Sequence, residues 1–481
     1  MKQPVITLIE LPATSFGKLN GHLVQDVYSD ARMPARAIPS LHANLLKAGF
    51  NDVRSIDPMN NKPRGEFLLE DYKRARDSDW IFFSALSRTI DPTKELARLL
   101  REDHLFNGRI CIGGHHATFT PRETLEWADV VAMYEGDKTV VELVKNGDPE
   151  GIKGTAYKKK GEVVIEEKRP YLTSEELDNL PFPYLEDSKG LIRAIPLNTA
   201  RGCPYDCNFC GVKTFYDRRY TRRSNESILE EVARYQDWPG RFIFFTDDNF
   251  AGKIANTKEL LHEMIRRGYT KKKLIVQTRV SAGFDDEYLD LLKRANGNMA
   301  CLGVESRNPD TLEAINKGQT VEQIDEGVRN YRDAGIWVHA MMMFGGDYDK
   351  VEDMHNSTKW ARKNVDSFQA FALSPIIGTD FRREMVDQGR LITPNHNYLH
   401  DGQHVLLRPK NMTPYELQRG IFKMFRDFYS PATVFQPGNF RDPIQLYWKG
   451  IMTAYARKTI HKIRYDPQTV DHINRLESLD Q

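Results

Sequence analysis

From residue 194 onward six short apolar runs alternate with amphipathic helical stretches, and no other feature limits the fold so tightly. The runs are Ala194-Ile-Pro-Leu-Asn, Arg241-Phe-Ile-Phe-Phe-Thr, Lys273-Leu-Ile-Val-Gln-Thr, Cys301-Leu-Gly-Val-Glu, Trp337-Val-His-Ala-Met-Met-Met-Phe and Ser367-Phe-Gln-Ala-Phe-Ala-Leu. Helical stretches such as Ser224 to Gln236 and Thr257 to Arg267 lie between them, the former opening on Ser-Asn-Glu, a capping start. A strand followed by a crossover helix is a β-α unit, and six in succession predict a parallel sheet. In parallel barrels reactive groups gather at the C-terminal ends of the strands.

The first run leads into Asn198-Thr-Ala-Arg-Gly-Cys203-Pro-Tyr-Asp-Cys207-Asn-Phe-Cys210-Gly211, where three of the chain's five cysteines fall within eight residues. Three thiolates on a short loop can face one metal centre. Zinc normally takes a fourth protein ligand, and no nearby Cys or His stands at zinc-like spacing. A zinc loop completed by a distant His, or three structural cysteines, are the bland alternatives. A [4Fe–4S] cubane normally takes four thiolates; held by three, it leaves one iron open for a substrate or cofactor. The stretch resembles the signature of the radical S-adenosylmethionine (SAM) superfamily, Cys-x3-Cys-x-aromatic-Cys, with Phe209 in the aromatic slot. That resemblance implies that Cys203, Cys207 and Cys210 hold the cluster and that its open iron chelates the amino and carboxylate groups of SAM. It also implies that cleavage of the sulfonium yields a 5′-deoxyadenosyl radical and that Phe209 lies beside the adenine. Cys111 and Cys301 sit in apolar runs and read as small buried hydrophobes, so one cluster only is expected.

The residues after the remaining runs are polar in an organised way. The second run ends Asp247-Asp248-Asn249-Phe250, the third Gln277-Thr278-Arg279, the fourth Glu305-Ser306, the fifth Gly345-Gly346-Asp347 and the sixth Ser374-Pro375. Any one of these reads as a helix cap or a turn; together, at the strand ends of one sheet, they read as a pocket wall. Carboxylates suit the ammonium and ribose diol of SAM, and Arg suits its carboxylate. The same strings resemble the radical SAM barrel in order along the chain. Asp247, Asp248 and Asn249 match the second-strand motif near the SAM amino group. Gly303-Val304-Glu305-Ser306 matches the fourth-strand motif near the ribose and methionyl end, and Gly345 and Gly346 match the fifth-strand end near the adenine. Gln277 and Arg279 complete the expected SAM set. The resemblance spans about 190–400.

The N-terminal third repeats the alternation at a Rossmann-like pace. Its runs are Val5-Ile-Thr-Leu-Ile-Glu, Asn51-Asp-Val-Arg-Ser-Ile-Asp, Trp80-Ile-Phe-Phe-Ser-Ala, Arg109-Ile-Cys-Ile-Gly-Gly and Asp129-Val-Val-Ala-Met, with a helix near Ser40 to Ala48. No Gly-x-Gly-x-x-Gly is present, so a dinucleotide reading has little support. Gly113-Gly114-His115-His116-Ala-Thr118, followed some twenty residues later by Glu135-Gly136-Asp137, resembles the cobalamin-binding domain that precedes many radical SAM barrels. The resemblance implies corrin contacts from Ser84, Ser87, Gly113, Gly114, His115, Thr118, Glu135 and Gly136. The Asp-x-His-x-x-Gly motif whose His ligates cobalt in other B12 proteins is absent, so neither His115 nor His116 is expected to do so.

The domains expected are a Rossmann-like cobalamin-binding domain (1–150), a linker with a hairpin (151–190), a partial (β/α)6 radical SAM barrel of the TIM type (191–400) and a helical C-terminal region (401–481). From Trp448 to Arg464 there are five Lys/Arg and no Asp/Glu, with Trp448, Ile451, Met452, Tyr455 and Ile463 near one helical face. This reads as a helix packed on the barrel, or as a peripheral membrane contact. Lys+Arg number 68 and Asp+Glu 67, a balance that argues against a nucleic-acid partner. The whole resembles the cobalamin-binding radical SAM subgroup that contains hopanoid methylases and tetrapyrrole-modifying enzymes. It implies a cytoplasmic enzyme with a [4Fe–4S] cluster, SAM and cobalamin, fed electrons by flavodoxin or ferredoxin. The expected reaction is C-methylation of an unactivated carbon in a small molecule or lipid. The alternatives are cyclisation, C–C coupling or rearrangement with the same cofactors, and a non-catalytic iron–sulfur or B12-binding module.

Overall fold

The computed structural model describes residues 3–11, 33, 34, 36–57, 67–394, 396–434 and 443–479. The N-terminal runs form β1 (Ile6–Ile9), β2 (Val53–Ile56), β3 (Trp80–Ser84), β4 (Arg109–Gly113) and β5 (Val130–Ala132). These strands pair in parallel in the order β2-β1-β3-β4-β5. Every residue of β1 is buried, as a strand covered by helices on both faces must be. One layer of core gathers Ile9, Phe83, Ile112 and Val131, and the opposite layer gathers Ile6, Leu8, Phe82 and Cys111. Full burial of one such aliphatic or aromatic side chain contributes about 1.5–3 kcal/mol. The chain leaves β1 toward β2 on one side and resumes with β3 on the other. That reversal puts the switch point, where ligands of such sheets bind, at the C-terminal ends of β1 and β3.

The hairpin expected in a linker belongs to this sheet. β6 (Thr155–Lys159) and β7 (Glu162–Ile165) follow β5, and β6 pairs antiparallel with it, Ala132 opposite Thr155. The local pattern showed a hairpin but not its partner, because pairing with β5 is a tertiary choice.

The later runs form β8 (Ala194–Leu197), β11 (Phe242–Phe245), β12 (Lys273–Thr278), β13 (Gly297–Glu305), β14 (Trp337–Phe344) and β15 (Ser367–Ala372), with β9 (Ala200–Gly202) and β10 (Tyr220–Arg222) a separate pair. The six-stranded sheet runs β8-β11-β12-β13-β14-β15, sequence order throughout. β12 to β15 are parallel neighbours. Their burial alternates: Val338, Ala340, Met342 and Phe344 are closed off, while Met341, Met343, Gln369 and Phe371 on the other face are half-buried. Helix Asn225–Tyr235 starts where Ser224 Oγ accepts from Ser227 N–H at 3.2 Å.

Contacts divide the chain into two compact units. One takes residues up to Thr199, Thr221–Phe244 and His396–Tyr398; the other takes Ala200–Tyr220, Phe245–Asn395 and Leu399 onward. The division differs from the expected boundary at 190. Within the first unit a buried triad explains part of this: Glu231 on helix Asn225–Tyr235 is fully buried and pairs with Arg36 at 2.8 Å and with Arg223. Helix Pro443–Arg464 exists as expected and packs against helices Pro414–Phe428 and Pro467–Ser478. Its expected apolar face is divided, however: Ile463 is buried, Met452 half-buried and Ile451 41% exposed. The Trp448 and Tyr455 side chains lie outside the described residues.

Candidate active site

Cys203, Cys207 and Cys210 follow β9 on one loop, all free thiols, Cys207 buried and the other two half-buried. Burial pushes the Cys210 thiol up to about 11 and raises Cys203, and binding of metal turns such thiols into thiolate donors. Among the described residues no three His, Cys, Asp or Glu side chains gather round one ion-sized point. Two supports hold the loop. Asn208 Nδ2 donates to Ala314 O at 3.0 Å, and Asn316 Nδ2 donates to Asp206 O at 2.9 Å. The segment after helix Pro309–Ala314 therefore clasps the cysteine loop.

Arg279, which follows β12, is buried. Its guanidinium lies 4.0 Å from the Cys207 sulfur and 4.0 Å over the Tyr205 ring, and it donates to Lys317 O. Gln277, two residues earlier, is half-buried on the sheet face shared with Ile275. Asp247 accepts from Ala200 N–H at 2.8 Å, and Asp248 accepts from Gly202 N–H at 3.2 Å. These two bonds tie the end of β11 to β9, at the root of the cysteine loop. Burial, then the neighbouring Asp247, pushes Asp248 up to about 6. Asn249 Oδ1 accepts from Thr278 Oγ1 at 3.0 Å.

The end of β13 is irregular. Its register with β14 shifts between Gly303 and Glu305, and Glu305 has φ +63°. A non-glycine residue held there costs about 1–3 kcal/mol and marks an over-determined site. What holds it is Lys317, whose Nζ meets Glu305 Oε1 at 2.6 Å, the two side chains 7% and 12% exposed. A Cβ at residue 303 would stand 2.6 Å from Glu305 Oε1 and 2.7 Å from Lys317 Nζ, so a larger residue there would push the ion pair aside. Gln319 Nε2 donates to the Gly303 and Val304 carbonyls at 3.2 and 3.0 Å. Ser306 is buried, and its Oγ accepts from Asn308 N–H at 3.0 Å.

Gly345 and Gly346 give their N–H groups to Asp349 Oδ2 at 3.0 and 2.9 Å, while Asp349 Oδ1 accepts from Thr311 at 2.6 Å. Burial pushes this carboxyl up to about 6. The glycine turn is thus shaped by an acid outside the expected set. Phe209 packs with Met343 against Leu373, Phe381, Met385 and Leu407. Lys317, Gln319 and Asp349 went unnoticed in the sequence because none stands in a motif. Their only signal was position, Lys317 and Gln319 between helices Pro309–Ala314 and Val321–Asp333, Asp349 on the loop after β14.

In the N-terminal sheet the expected loops all leave C-terminal strand ends. Ser84 ends β3 and is half-buried. Ser87 Oγ and His116 Nδ1 are 3.0 Å apart. Gly114 has φ +96°, and a Cβ there would meet Ala85 O at 2.5 Å, so the loop after β4 lies directly on the loop after β3. Thr118 Oγ1 donates to Gly114 O at 2.9 Å and accepts from Tyr134 N–H at 3.0 Å, which links the third loop. Glu135 Oε2 accepts from Leu172 N–H at 2.7 Å, and Gly136 precedes helix Asp137–Asn146. Gly113 ends β4; His115 opens the short helix His115–Phe119 and tilts against Phe119 at 4.9 Å between ring centroids. Ser87, Gly114 and Thr118 are therefore joined by bonds within and between these loops, while Glu135 holds the later segment at Leu172.

The family model described as Radical SAM superfamily matches residues 197–361, and the one described as B12 binding domain matches residues 28–144. The chain therefore carries a B12-binding domain followed by a radical SAM domain. Over 475 residues this radical SAM chain is 26% identical to an anaerobic magnesium-protoporphyrin IX monomethyl ester cyclase of Cereibacter sphaeroides, covering 92% of this chain and 76% of that one. It is 26% identical over 388 residues to a hopanoid C-3 methylase of Methylococcus capsulatus, covering 76% and 71%. Its fold is shared with the radical SAM methyltransferase TsrM of Kitasatospora setae, solved with cobalamin and a [4Fe–4S] cluster, at a TM-score of 0.67 and 16% identity over all of both chains. The radical SAM domain implies SAM and a [4Fe–4S] cluster, and the B12-binding domain implies cobalamin. The residues present suit them. Three free thiols share a loop with a buried guanidinium beside it, and a glycine cradle joins the strand-end loops of the B12-binding sheet. Among the described residues no helix is long and apolar enough to cross a membrane.

Proposed function

We propose that this radical SAM protein is a cobalamin-dependent C-methyltransferase acting on an unactivated carbon of a small molecule or lipid. The carrying observation is that one chain holds both a B12-binding domain and a radical SAM domain. The names of its relatives, methylases and methyltransferases among them, support the reading. When bound, the cofactors supply a hydrogen-abstracting nucleoside radical and a transferable methyl group. The protein supplies binding, orientation and exclusion of water. In this reading Cys203, Cys207 and Cys210 hold the cluster, with Phe209 beside the nucleoside. Asp247, Asp248 and Asn249 shape the wall next to the cysteine loop. Glu305, fixed by Lys317, presents its free carboxylate oxygen for the polar end of SAM, and Ser306 and the Gly345–Gly346 turn close the same rim. Gln277 on the half-buried sheet face completes the wall. Ser84, Ser87, Gly113, Gly114, His115, Thr118, Glu135 and Gly136 form the corrin cradle. Electrons come from flavodoxin or ferredoxin, and the helix within 443–464 serves as packing for its neighbours.

The test uses the anaerobically reconstituted chain with methyl-deuterated SAM, a low-potential reductant, and small-molecule and lipid fractions as substrate. Products that carry the intact deuterated methyl group are expected. Reductant-dependent turnover to unlabelled, rearranged or cyclised products would assign the second reaction class instead. No cleavage of SAM under reduction would leave only a binding module.

A further inference from the structure

We propose that Arg279 is a positioning residue for the iron–sulfur centre, acting through Cys207 to stabilise the cluster's reduced state. The inference rests on the reading of the three cysteines as cluster ligands and adds to it a residue that sets the redox poise. The resemblance alone places this arginine at the SAM carboxylate; the geometry turns it elsewhere.

Arg279 is 8% exposed, and among the described residues no carboxylate pairs with it. Its acceptors are Lys317 O and, at 3.5 Å, Gly318 O; its Nε is buried without a partner, and its Nη1 is 4.0 Å from Cys207 Sγ. A buried cation that lacks a counter-ion is strongly destabilising, so a site that retains one is built for an anion. The Asp206 carboxylate of this loop pairs with Lys213 and Arg218, and the anions nearest Arg279 are then the thiolates that appear when metal displaces the thiol protons. Its plane is fixed on one side by Tyr205, 4.0 Å away, and at its end by the 317–318 carbonyls. The same segment clasps the cysteine loop through Asn316 and holds Glu305 through Lys317. A fixed guanidinium, pre-aimed at sulfur, keeps its charge in place while the centre gains an electron.

Reduction adds one electron from an external low-potential donor to the cluster, which becomes more negative by one charge. A nearby fixed cation favours that state, so hydrogen bonds and net charge at the sulfurs raise the reduction potential. Arg279→Gln removes the charge and keeps a polar side chain; Arg279→Lys keeps the charge and loses the fork.

The experiment is a reductive titration of anaerobically reconstituted full-length protein, followed by electron paramagnetic resonance without SAM, beside an iron assay. Four irons per chain are expected in wild type and both variants. In R279Q the ratio of reduced to oxidised cluster at a fixed potential should fall at least about tenfold, or about 59 mV for a one-electron couple. R279K should stay within about threefold of wild type. Normal iron in R279Q with an unmoved potential overturns the inference, and a weakened SAM affinity in that variant would return the guanidinium to the SAM carboxylate. Should R279Q take up no iron, R279K decides: iron and potential kept support the charge role, and either one lost overturns it. A wild-type chain that takes up no four-iron cluster sinks the ligand reading and this inference with it.

Discussion

Replacing Lys317 by Met tests whether a buried ion pair holds the end of β13. The Lys317 and Glu305 side chains are 7% and 12% exposed, and their charged atoms are 2.6 Å apart. Two unit charges about 4 Å apart in a medium of effective dielectric about 20 attract by about 4 kcal/mol. Removing one partner of such a pair costs about 3–5 kcal/mol, because the remaining charge stays buried and uncompensated. Lys317→Met keeps the aliphatic stem and deletes only the charge, so the loss should be about 3 kcal/mol. Glu305→Gln in the same chain removes the orphaned charge, and the double variant should recover about 2 kcal/mol of it. Arg279 still finds its acceptor, since it bonds the residue-317 main chain. The assay is urea denaturation of the full chain without cofactors for wild type, both single variants and the double, read as a double-mutant cycle. A Lys317→Met loss below about 1 kcal/mol, or a double variant as unstable as that single, would refute the claim that the pair holds the bulge.

Burial lowers His339 to about 4 from an ordinary value near 6.5, while its Nδ1 lies 2.7 Å from Ser367 Oγ. The unfolded chain therefore binds this proton first, so its contribution is fully present above about 6.5 and is lost as pH falls toward about 4, by at most about 3 kcal/mol. His339→Gln should flatten that part of the stability profile measured by denaturation at stepped pH; an unchanged slope contradicts the burial argument. Gly114→Ala places a Cβ 2.5 Å from Ala85 O on a backbone of φ +96°. It should cost about 1–3 kcal/mol in the same urea assay and lower the cobalamin retained after gel filtration, read from corrin absorbance. Wild-type stability and retention in that variant would show that the two loops need no close approach.

The alternation of apolar runs and helices was legible because it is local. A strand buried on both faces needs a continuous apolar run, and a crossover helix needs one apolar stripe. Hence β12 and β14 appear where the pattern put them, residue for residue. Helix Ile254–Arg266 begins three residues before its expected start at Thr257, where no capping side chain marks the end. The cysteine spacing was legible for a related reason, since a chelating loop carries its donors close together in the chain.

Pairing was not legible. The β6–β7 hairpin joins the first sheet, Gly345 and Gly346 turn on Asp349, and Lys317 reaches across twelve positions to Glu305. The sequence determined which residue types exist and where the chain can be strand, helix or chelating loop. Only the tertiary structure decided which carboxylate faces which cation, and that Arg279 points at sulfur. The physical reason is that periodicity is set by neighbours in the chain, whereas a buried charge is satisfied by whatever folding brings within a few ångströms of it.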